Sequence, residues 1–177
     1  GPGHRFDATP EVSSKEIDVL FIGGGLRGRR STWRSEARQI CDELGLVYKE
    51  YGSETEGGRI DYQQMMALYA KSRIALNFTE FDCEDTILEA FGRSSKGRWW
   101  ETVGFGAFCL TQWSPRWDFI LDSDSGMDVF GSSDELREKL LYWLDDEERR
   151  HRSWRLGYER IRDLCSDKYL VSQILDG

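Results

Sequence analysis

The sequence has no apolar run close to the roughly 20 residues that a membrane-spanning helix needs, and no apolar secretory segment opens it. It has only two histidines and four cysteines, and the cysteines stand far apart, so neither a zinc-ligand cluster nor a disulfide framework is predicted. A reducing, cytoplasmic location is therefore expected. Acidic residues exceed basic ones by 32 to 24, and the net charge of −8 disfavours a generic nucleic-acid-binding protein.

What the sequence does contain is enough material for one well-packed domain. Its 177 residues include seven Trp, seven Tyr and nine Phe, so a large aromatic surface is available for burial. Residues 1–4, Gly-Pro-Gly-His, are typical of the remainder of a cleaved tag, which also indicates that the chain was cut from a longer protein. We therefore interpret residues 1–16 as tag remnant and lead-in, and residues 17–177 as a single domain.

Apolar runs of strand length alternate with stretches of helical periodicity along the chain. Strands are predicted at residues 17–22, 46–51, 73–78, 107–111 and 128–130, and residues 79–97 are predicted to form a long polar loop. Helices are predicted from Ser31 or Thr32 to Gly45, after Asp61, at residues 98–104, after a capping box of Ser132 and Glu135, and at residues 146–164 and 167–175. This alternation predicts an α/β fold, a Rossmann-like parallel sheet with helices on both faces, in which ligands bind beyond the carboxyl ends of the strands.

The turn after the first strand carries a glycine motif. Gly23, Gly25 and Gly28 satisfy the spacing G-x-G-x-x-G, and Glu50 falls where a dinucleotide-binding fold places its ribose-binding acid. However, residues 27–38 hold five arginines, and bulky cations suit phosphate contact better than close packing of a helix on a sheet. The residues leave three alternatives open: a diphosphate site, a plain structural turn, and a nicotinamide or flavin site.

Residues 96–110, with the sequence KGRWWETVGFGAFCL, are the most informative segment. They resemble the K-G-R-x-F-E-x-x-x-x-G-A-F-x-L signature of CgeB-like (spore-maturation-type) glycosyltransferases. In that family the signature lies in the C-terminal, donor-binding half of the GT-B fold. Residues 18–30, 69–78 and 133–157 are similar to further segments of the family, so the likeness extends over residues 17–165.

The resemblance implies a glycosyltransferase that transfers a hexosyl or related sugar from a nucleotide-diphosphate sugar without a metal ion. The nucleotide sugar is then a donor substrate, and no cofactor is expected. An acceptor glycan or other small acceptor would be held by the N-terminal acceptor domain of the parent chain, so this fragment is expected to bind nucleotide and to turn over poorly alone. The alternatives are a NAD(P)- or flavin-binding Rossmann domain and a non-catalytic nucleotide-binding or interaction module.

By the same resemblance, Glu101 is the carboxylate that accepts both ribose hydroxyl protons of the donor. Arg98 lies three positions earlier, on the same side of a helix start, where its guanidinium would hold phosphate oxygens and steady the leaving diphosphate. Arg98 and Glu101 are the predicted catalytic residues. The predicted donor-binding set adds backbone and cationic groups to this pair: Gly23, Gly24, Gly25, Arg30 and Lys96.

Four other residues have expected roles in packing, capping or base stacking. Trp99 and Trp100 are expected to pack against the domain, Asn77 is expected to cap a strand end, and Tyr51 is a candidate for stacking on the base. Many retaining glycosyltransferases related to this family carry two glutamates eight positions apart. Because this sequence has Arg93 at that distance from Glu101, neither retention nor inversion is predicted.

Overall fold

The structure, a computed structural model, describes residues 14–24, 29–53, 55–79, 98–114 and 125–164. Five strands within these residues form one sheet: β1 Ile17–Ile22, β2 Tyr48–Tyr51, β3 Ser72–Asn77, β4 Phe108–Gln112 and β5 Met127–Phe130. The helices are α1 Arg29–Glu43, α2 Tyr62–Ala70, α3 Arg98–Gly104, α4 Ser133–Asp145 and α5 Glu147–Leu164. The strand order is β2-β1-β3-β4-β5, and every neighbouring pair is parallel. Over the described ranges, none of the helices is long and apolar enough to cross a membrane.

Side chains alternate between the two faces of the sheet along each strand, and helices cover both faces. In β1, Val19 and Phe21 point into a core closed by α1 and α4, whereas Leu20 and Ile22 point to the face that α2 covers. On this second face, α3 and α5 pack with side chains of β4 and β5 in a further apolar cluster. Burial on both faces explains the nearly continuous apolar sequence of β1. The Rossmann-like α/β fold predicted from the sequence is confirmed.

Two of the three predicted helix caps are confirmed, Asp61 fully and Ser132 in part. Asp61 forms a reciprocal capping box with Gln64 at the start of α2, with bonds of 2.8 and 3.0 Å. Ser132 caps α4 by accepting from the Glu135 N–H at 3.2 Å. The Glu135 carboxylate, however, accepts from the N–H of Gly131 rather than from that of Ser132, so this box closes one residue earlier than predicted.

The predicted start of the first helix is wrong. α1 begins at Arg29, so Ser31 and Thr32 lie inside its first turn instead of at its N-cap. Arginine is a better helix former than serine or threonine, which lets the helix extend back toward the glycine turn. The predicted end of α1 at Gly45 is confirmed, because the helix ends at Glu43 and Gly45 follows it with a φ of +67°. The predicted helix at 167–175 and residues 80–97 of the predicted loop lie outside the described residues.

The strand order creates a switch point between β1 and β3. The chain leaves β1 toward β2 on one side, and it leaves β3 toward β4 on the other side. In such sheets the connections diverge at the carboxyl ends of the two central strands and open a crevice there. Gly23 and Gly24 follow β1 at this edge, and Thr79 closely follows β3. The fold therefore places the glycine turn at the edge where a ligand is expected.

A buried polar network ties the carboxyl ends of β3 and β4 together. The Asn77 side chain donates to Thr111 Oγ1 at 3.0 Å, and the Thr79 N–H donates to Gln112 Oε1 at 3.1 Å. All four residues are nearly inaccessible to solvent. Asn77 is therefore part of the packing of the sheet edge, in agreement with its structural interpretation from the sequence.

Lys15 joins the ends of the two helices α2 and α3. Its Nζ donates to the carbonyl oxygen of Ala70 at 2.8 Å and to that of Gly106 at 2.6 Å. Burial and, to a lesser extent, the positive charge of Arg150 lower the pKa of Lys15 from 10.5 to about 8, although Glu147 acts in the opposite direction. Protonation of Lys15 is therefore less favourable in the folded chain than in the unfolded one.

This lowered pKa predicts that stability rises with pH in a defined window. Between pH 8 and pH 10.5 the unfolded chain holds a proton on Lys15 that the folded chain has released, so unfolding takes up a proton. Relative to Lys15→Met, the wild type is expected to gain unfolding free energy across this window. Urea titrations at several pH values measure the difference in unfolding free energy between the two proteins. The contributions of the other titrating groups cancel in this difference. A difference that is flat or falls with pH would contradict the expectation.

Candidate functional site

Gly23 and Gly24, the described residues of the glycine turn, lie close to neighbouring side chains. The Gly23 N–H donates to the Tyr51 carbonyl oxygen at 2.8 Å. A Cβ at Gly23 would lie 2.6 Å from the ring of Phe21, and one at Gly24 would lie 2.6 Å from Ser53 Oγ. The buried Phe21 ring restricts Gly23, whereas the Ser53 hydroxyl beside Gly24 can rotate away, and the backbone of both glycines lies at the carboxyl end of β1.

Arg98 brings a positive charge to the same place. Its Nη1 donates to the carbonyl oxygen of Ile22, the last residue of β1, at 2.6 Å. The side chain is partly buried, and no carboxylate in the described part of the chain lies within ion-pair distance of it. A guanidinium has five N–H donors, so the bond to Ile22 leaves others for a ligand. Arg98 therefore presents a fixed cation beside Gly23 and Gly24, without a carboxylate partner among the described residues.

Glu101 lies one helical turn after Arg98 and is partly exposed. Burial, followed by the negative charge of Glu101, raises the pKa of Tyr62, the first residue of α2. Burial also raises the pKa of Tyr69, whereas the charge of Arg98 and hydrogen bonding of Thr102 and Arg98 act in the opposite direction. The predicted pair is thus held on one side of α3, with two tyrosines of α2 as neighbours.

Three of the predicted donor-binding residues cannot be placed in the same way. Gly25 and Lys96 lie outside the described residues, and of Arg30 the structure describes the backbone, in the first turn of α1. Their assignments stay predictions. The structure does bring Gly23, Gly24 and Arg98 to one edge of the sheet, with Glu101 on the helix that Arg98 begins.

Glu50 is engaged by the protein itself. Its Oε1 accepts from Arg34 at 2.9 Å and from Arg38 at 2.7 Å, and its Oε2 accepts from the Tyr48 hydroxyl at 3.2 Å. The side chain of Glu50 is only 6% exposed. A ribose-binding acid must offer its carboxylate to the ligand, so this arrangement counts against the dinucleotide alternative.

The electrostatics of this cluster follow from its burial. Burial by itself would raise the pKa of Glu50, but the hydrogen bonds and charges of Arg34 and Arg38 outweigh it, and the pKa is lowered. Burial, followed by the charge of Glu50, raises the pKa of Tyr48. A cavity of about 450 Å³ opens beside the cluster, and neither Arg98 nor Glu101 lines it.

Sequence reasoning missed the role of Arg34 and Arg38. Both belong to the arginine-rich segment that predicted an anionic ligand, yet both are paired with Glu50. The available signal was their spacing of four residues on one helix, which puts them on the same face. Their common partner could not be found in this way, because it lies on β2.

The two tryptophans beside Arg98 differ in environment. Trp99 is buried, and its Nε1 donates to the Ser125 carbonyl oxygen at 3.1 Å, so its packing role is confirmed. Trp100 is 38% exposed, although its ring contacts that of Trp99 at a centroid distance of 4.9 Å. The Trp99 anchor fixes the first turn of α3, and with it the position of Arg98.

The described residues offer neither a cluster of metal ligands nor an activated thiol. Within them there is no group of three or more His, Cys, Asp or Glu side chains that could hold a metal ion. Cys41 and Cys109 are buried as free thiols, and burial raises the pKa of both to about 12. At neutral pH these two thiols are protonated, so neither is an activated nucleophile.

Fold and site together define a Rossmann-like domain with a cationic crevice at the carboxyl edge of its sheet. The chain matches the protein family described as glycosyl transferase-like over residues 16–176. Because this match covers most of the sequence, the chain belongs to that family. None of the curated proteins matches it.

Several solved structures share the fold. TarM, from S. aureus, aligns with a TM-score of 0.67 and 13% identity over 97% of this chain and 37% of TarM. The spinosyn forosaminyltransferase SpnP aligns at 0.56 and 15% identity, over 93% of this chain and 44% of SpnP. The pneumococcal O-GlcNAc transferase GtfA, in complex with UDP and GlcNAc, aligns at 0.54 and 14% identity, over 95% of this chain and 38% of GtfA. The chain thus spans less than half the length of these proteins.

The Glu50 cluster leads to a stability prediction. Glu50→Gln is expected to lower the free energy of unfolding by about 3 kcal/mol at pH 7, because the buried Arg34 charge loses its counter-ion. Above the unfolded pKa of 4.5 this contribution is fully present, and it is lost as the pH falls through the lowered pKa of the folded state. Urea unfolding followed by circular dichroism measures it. The control is Glu138→Gln on the exposed side of α4, and equal stability of the two variants would refute the expectation.

Proposed function

We propose that the chain is the donor domain of a glycosyltransferase and that it binds a nucleotide-diphosphate sugar at the carboxyl edge of its sheet. The observation that carries the proposal is the position of Arg98, whose guanidinium is hydrogen-bonded to the end of β1 beside the glycine turn. A fixed cation next to close-packed glycine backbone is suited to a diphosphate. Membership of the glycosyl transferase-like family supports the same chemistry.

The donor would lie across the crevice with its diphosphate over Gly23 and Gly24. Arg98 then holds phosphate oxygens through the N–H groups that Ile22 does not use. Glu101, one turn further along α3, accepts hydrogen bonds from the two ribose hydroxyls. Each hydrogen bond to a charged group contributes about 1.5–3 kcal/mol, so each of these side chains accounts for about 10- to 100-fold in affinity.

Arg98 would also act in the chemical step. When the bond between the anomeric carbon and the diphosphate oxygen breaks, negative charge grows on the leaving diphosphate, and a guanidinium already in place stabilises it without reorganisation. Arg30 and Lys96, predicted from the sequence, would add positive charge around the same group. In this scheme cationic side chains do the work that a divalent metal does in other transferases.

The acceptor belongs to a part of the protein beyond this domain. The chain covers 37–44% of TarM, SpnP and GtfA, and the comparison supports a larger enzyme in which a second domain of the parent chain faces the crevice. The GtfA complex contains UDP and GlcNAc, which supports UDP as the first nucleotide to test and a hexosyl group as the transferred sugar. The resemblance of residues 96–110 to the CgeB-like signature supports a transferase of that type.

Calorimetric titration with UDP, GDP, TDP and ADP tests the proposal. At least one of the four is expected to bind, with a dissociation constant in the micromolar to millimolar range. Glu101→Gln is expected to weaken binding about tenfold for the nucleoside monophosphate and diphosphate alike, since it acts at the ribose. Arg98→Gln is expected to weaken the diphosphate more than the monophosphate, since it acts at the phosphates.

Matched controls separate these effects from general charge changes. Glu138→Gln and Arg152→Gln alter exposed residues of α4 and α5 and are expected to bind like the wild type. Arg98→Lys keeps the charge, and thermal unfolding of each variant confirms that it is folded. Absence of binding to all four diphosphates would refute the proposal, as would wild-type affinity in both Arg98→Gln and Glu101→Gln.

A further inference from the structure

The turn after β2 lies directly against the glycine turn. The Gly23 N–H is bonded to the Tyr51 carbonyl oxygen at 2.8 Å. Gly52 follows with a φ of +144°, and a Cβ there would overlap the carbonyl oxygen of Gly23. A Cβ at Gly24 would meet Ser53 Oγ at 2.6 Å. The two turns therefore form a single surface at the carboxyl edge, and Ser53 is the side chain of the second turn that reaches the first.

This second turn is held by its own hydrogen bonds. The Gly52 N–H donates to the Gly58 carbonyl oxygen at 2.8 Å, and the Gly58 N–H donates to that of Thr55 at 3.1 Å. The Thr55 hydroxyl donates back to the Gly52 carbonyl oxygen at 3.1 Å. Immediately before the turn, Glu50 is locked to Arg34 and Arg38. Ser53 is thus presented by a constrained backbone, which limits the entropy lost when it contacts a ligand.

The Ser53 hydroxyl is available for such a contact. The residue is partly exposed, and its hydroxyl forms no hydrogen bond to any of the residues that the structure describes. A serine hydroxyl has one donor, which suits a phosphate oxygen because such an oxygen is acceptor-only. Its neighbour across the turn is Gly24, where the proposed function places the diphosphate.

We infer that Ser53 is a further donor-binding residue, whose hydroxyl donates to a phosphate oxygen of the nucleoside diphosphate held over Gly23 and Gly24. The inference rests on the proposed function and extends that site to the turn after β2. The diphosphate then lies between two fixed groups, the Arg98 guanidinium at the end of β1 and the Ser53 hydroxyl at the end of β2.

Two substitutions at Ser53 test the inference by calorimetric titration. The probe is whichever of UDP, GDP, TDP and ADP binds the wild type most tightly. Ser53→Ala is expected to weaken binding about tenfold or more, as loss of one hydrogen bond to a charged group predicts. Ser53→Asp is expected to weaken it further, because a carboxylate repels the diphosphate, and this additional loss is expected to shrink at high salt.

Ser35→Ala and Ser35→Asp are the matched controls, since Ser35 is an exposed serine of α1 outside both turns. Weakened binding in the Ser53 variants and wild-type binding in the Ser35 variants would support the inference. If Arg98→Gln weakens binding while both Ser53 variants bind like the wild type, the role of Ser53 is overturned and the proposed function stands. If the wild type binds none of the four probes, the proposed function itself fails.

Discussion

A single hydrogen bond, from Arg98 Nη1 to the carbonyl oxygen of Ile22, connects two parts of the chain that are 76 residues apart. It places the start of α3 over the end of β1 and turns a flexible cationic side chain into a fixed one. The buried Trp99 holds the same helix turn from the other side through its bond to Ser125. Glu101 occupies its position because it lies one turn after Arg98 on this anchored helix. The candidate site is therefore a consequence of how α3 is docked, more than of the short glycine motif.

Environment separates Arg34 and Arg38 from Arg98. Arg34 and Arg38 are both ion-paired with Glu50, and Arg38 also pairs with Glu56, so they contribute to packing and hold the end of β2 in place. Arg98 has no such counter-ion in the described residues, so its charge is directed at the crevice. An ion pair adds little net attraction for an external anion, whereas a guanidinium that has no carboxylate partner among the described residues attracts one. Residue type alone does not distinguish these roles, and the position of a single glutamate does.

Local patterns explain what could be predicted from the sequence. The apolar run of β1, the helix start at Asp61 and the helix at 98–104 depend on neighbouring residues, and the structure confirms them. The Arg29 start of α1 was missed because helix propensity extended the helix past plausible caps. The ion pairs of Glu50 and the contact of Ser53 with the glycine turn involve different strands, so no spacing along the chain reveals them. Arg98 and Glu101 are predicted through a resemblance, and the structure supplies the contact that explains the placement of Arg98.

The central claim is that a diphosphate binds between Arg98 and the glycine turn, with Glu101 at the ribose. A crystal structure of the protein soaked with the nucleoside diphosphate that it binds tests this most directly. The account predicts guanidinium nitrogens of Arg98 within about 2.7–3.2 Å of phosphate oxygens, and a Glu101 carboxylate that accepts from the ribose hydroxyls. A nucleotide bound elsewhere on the domain, or a crevice in which Arg98 and Glu101 point away from the ligand, would contradict it.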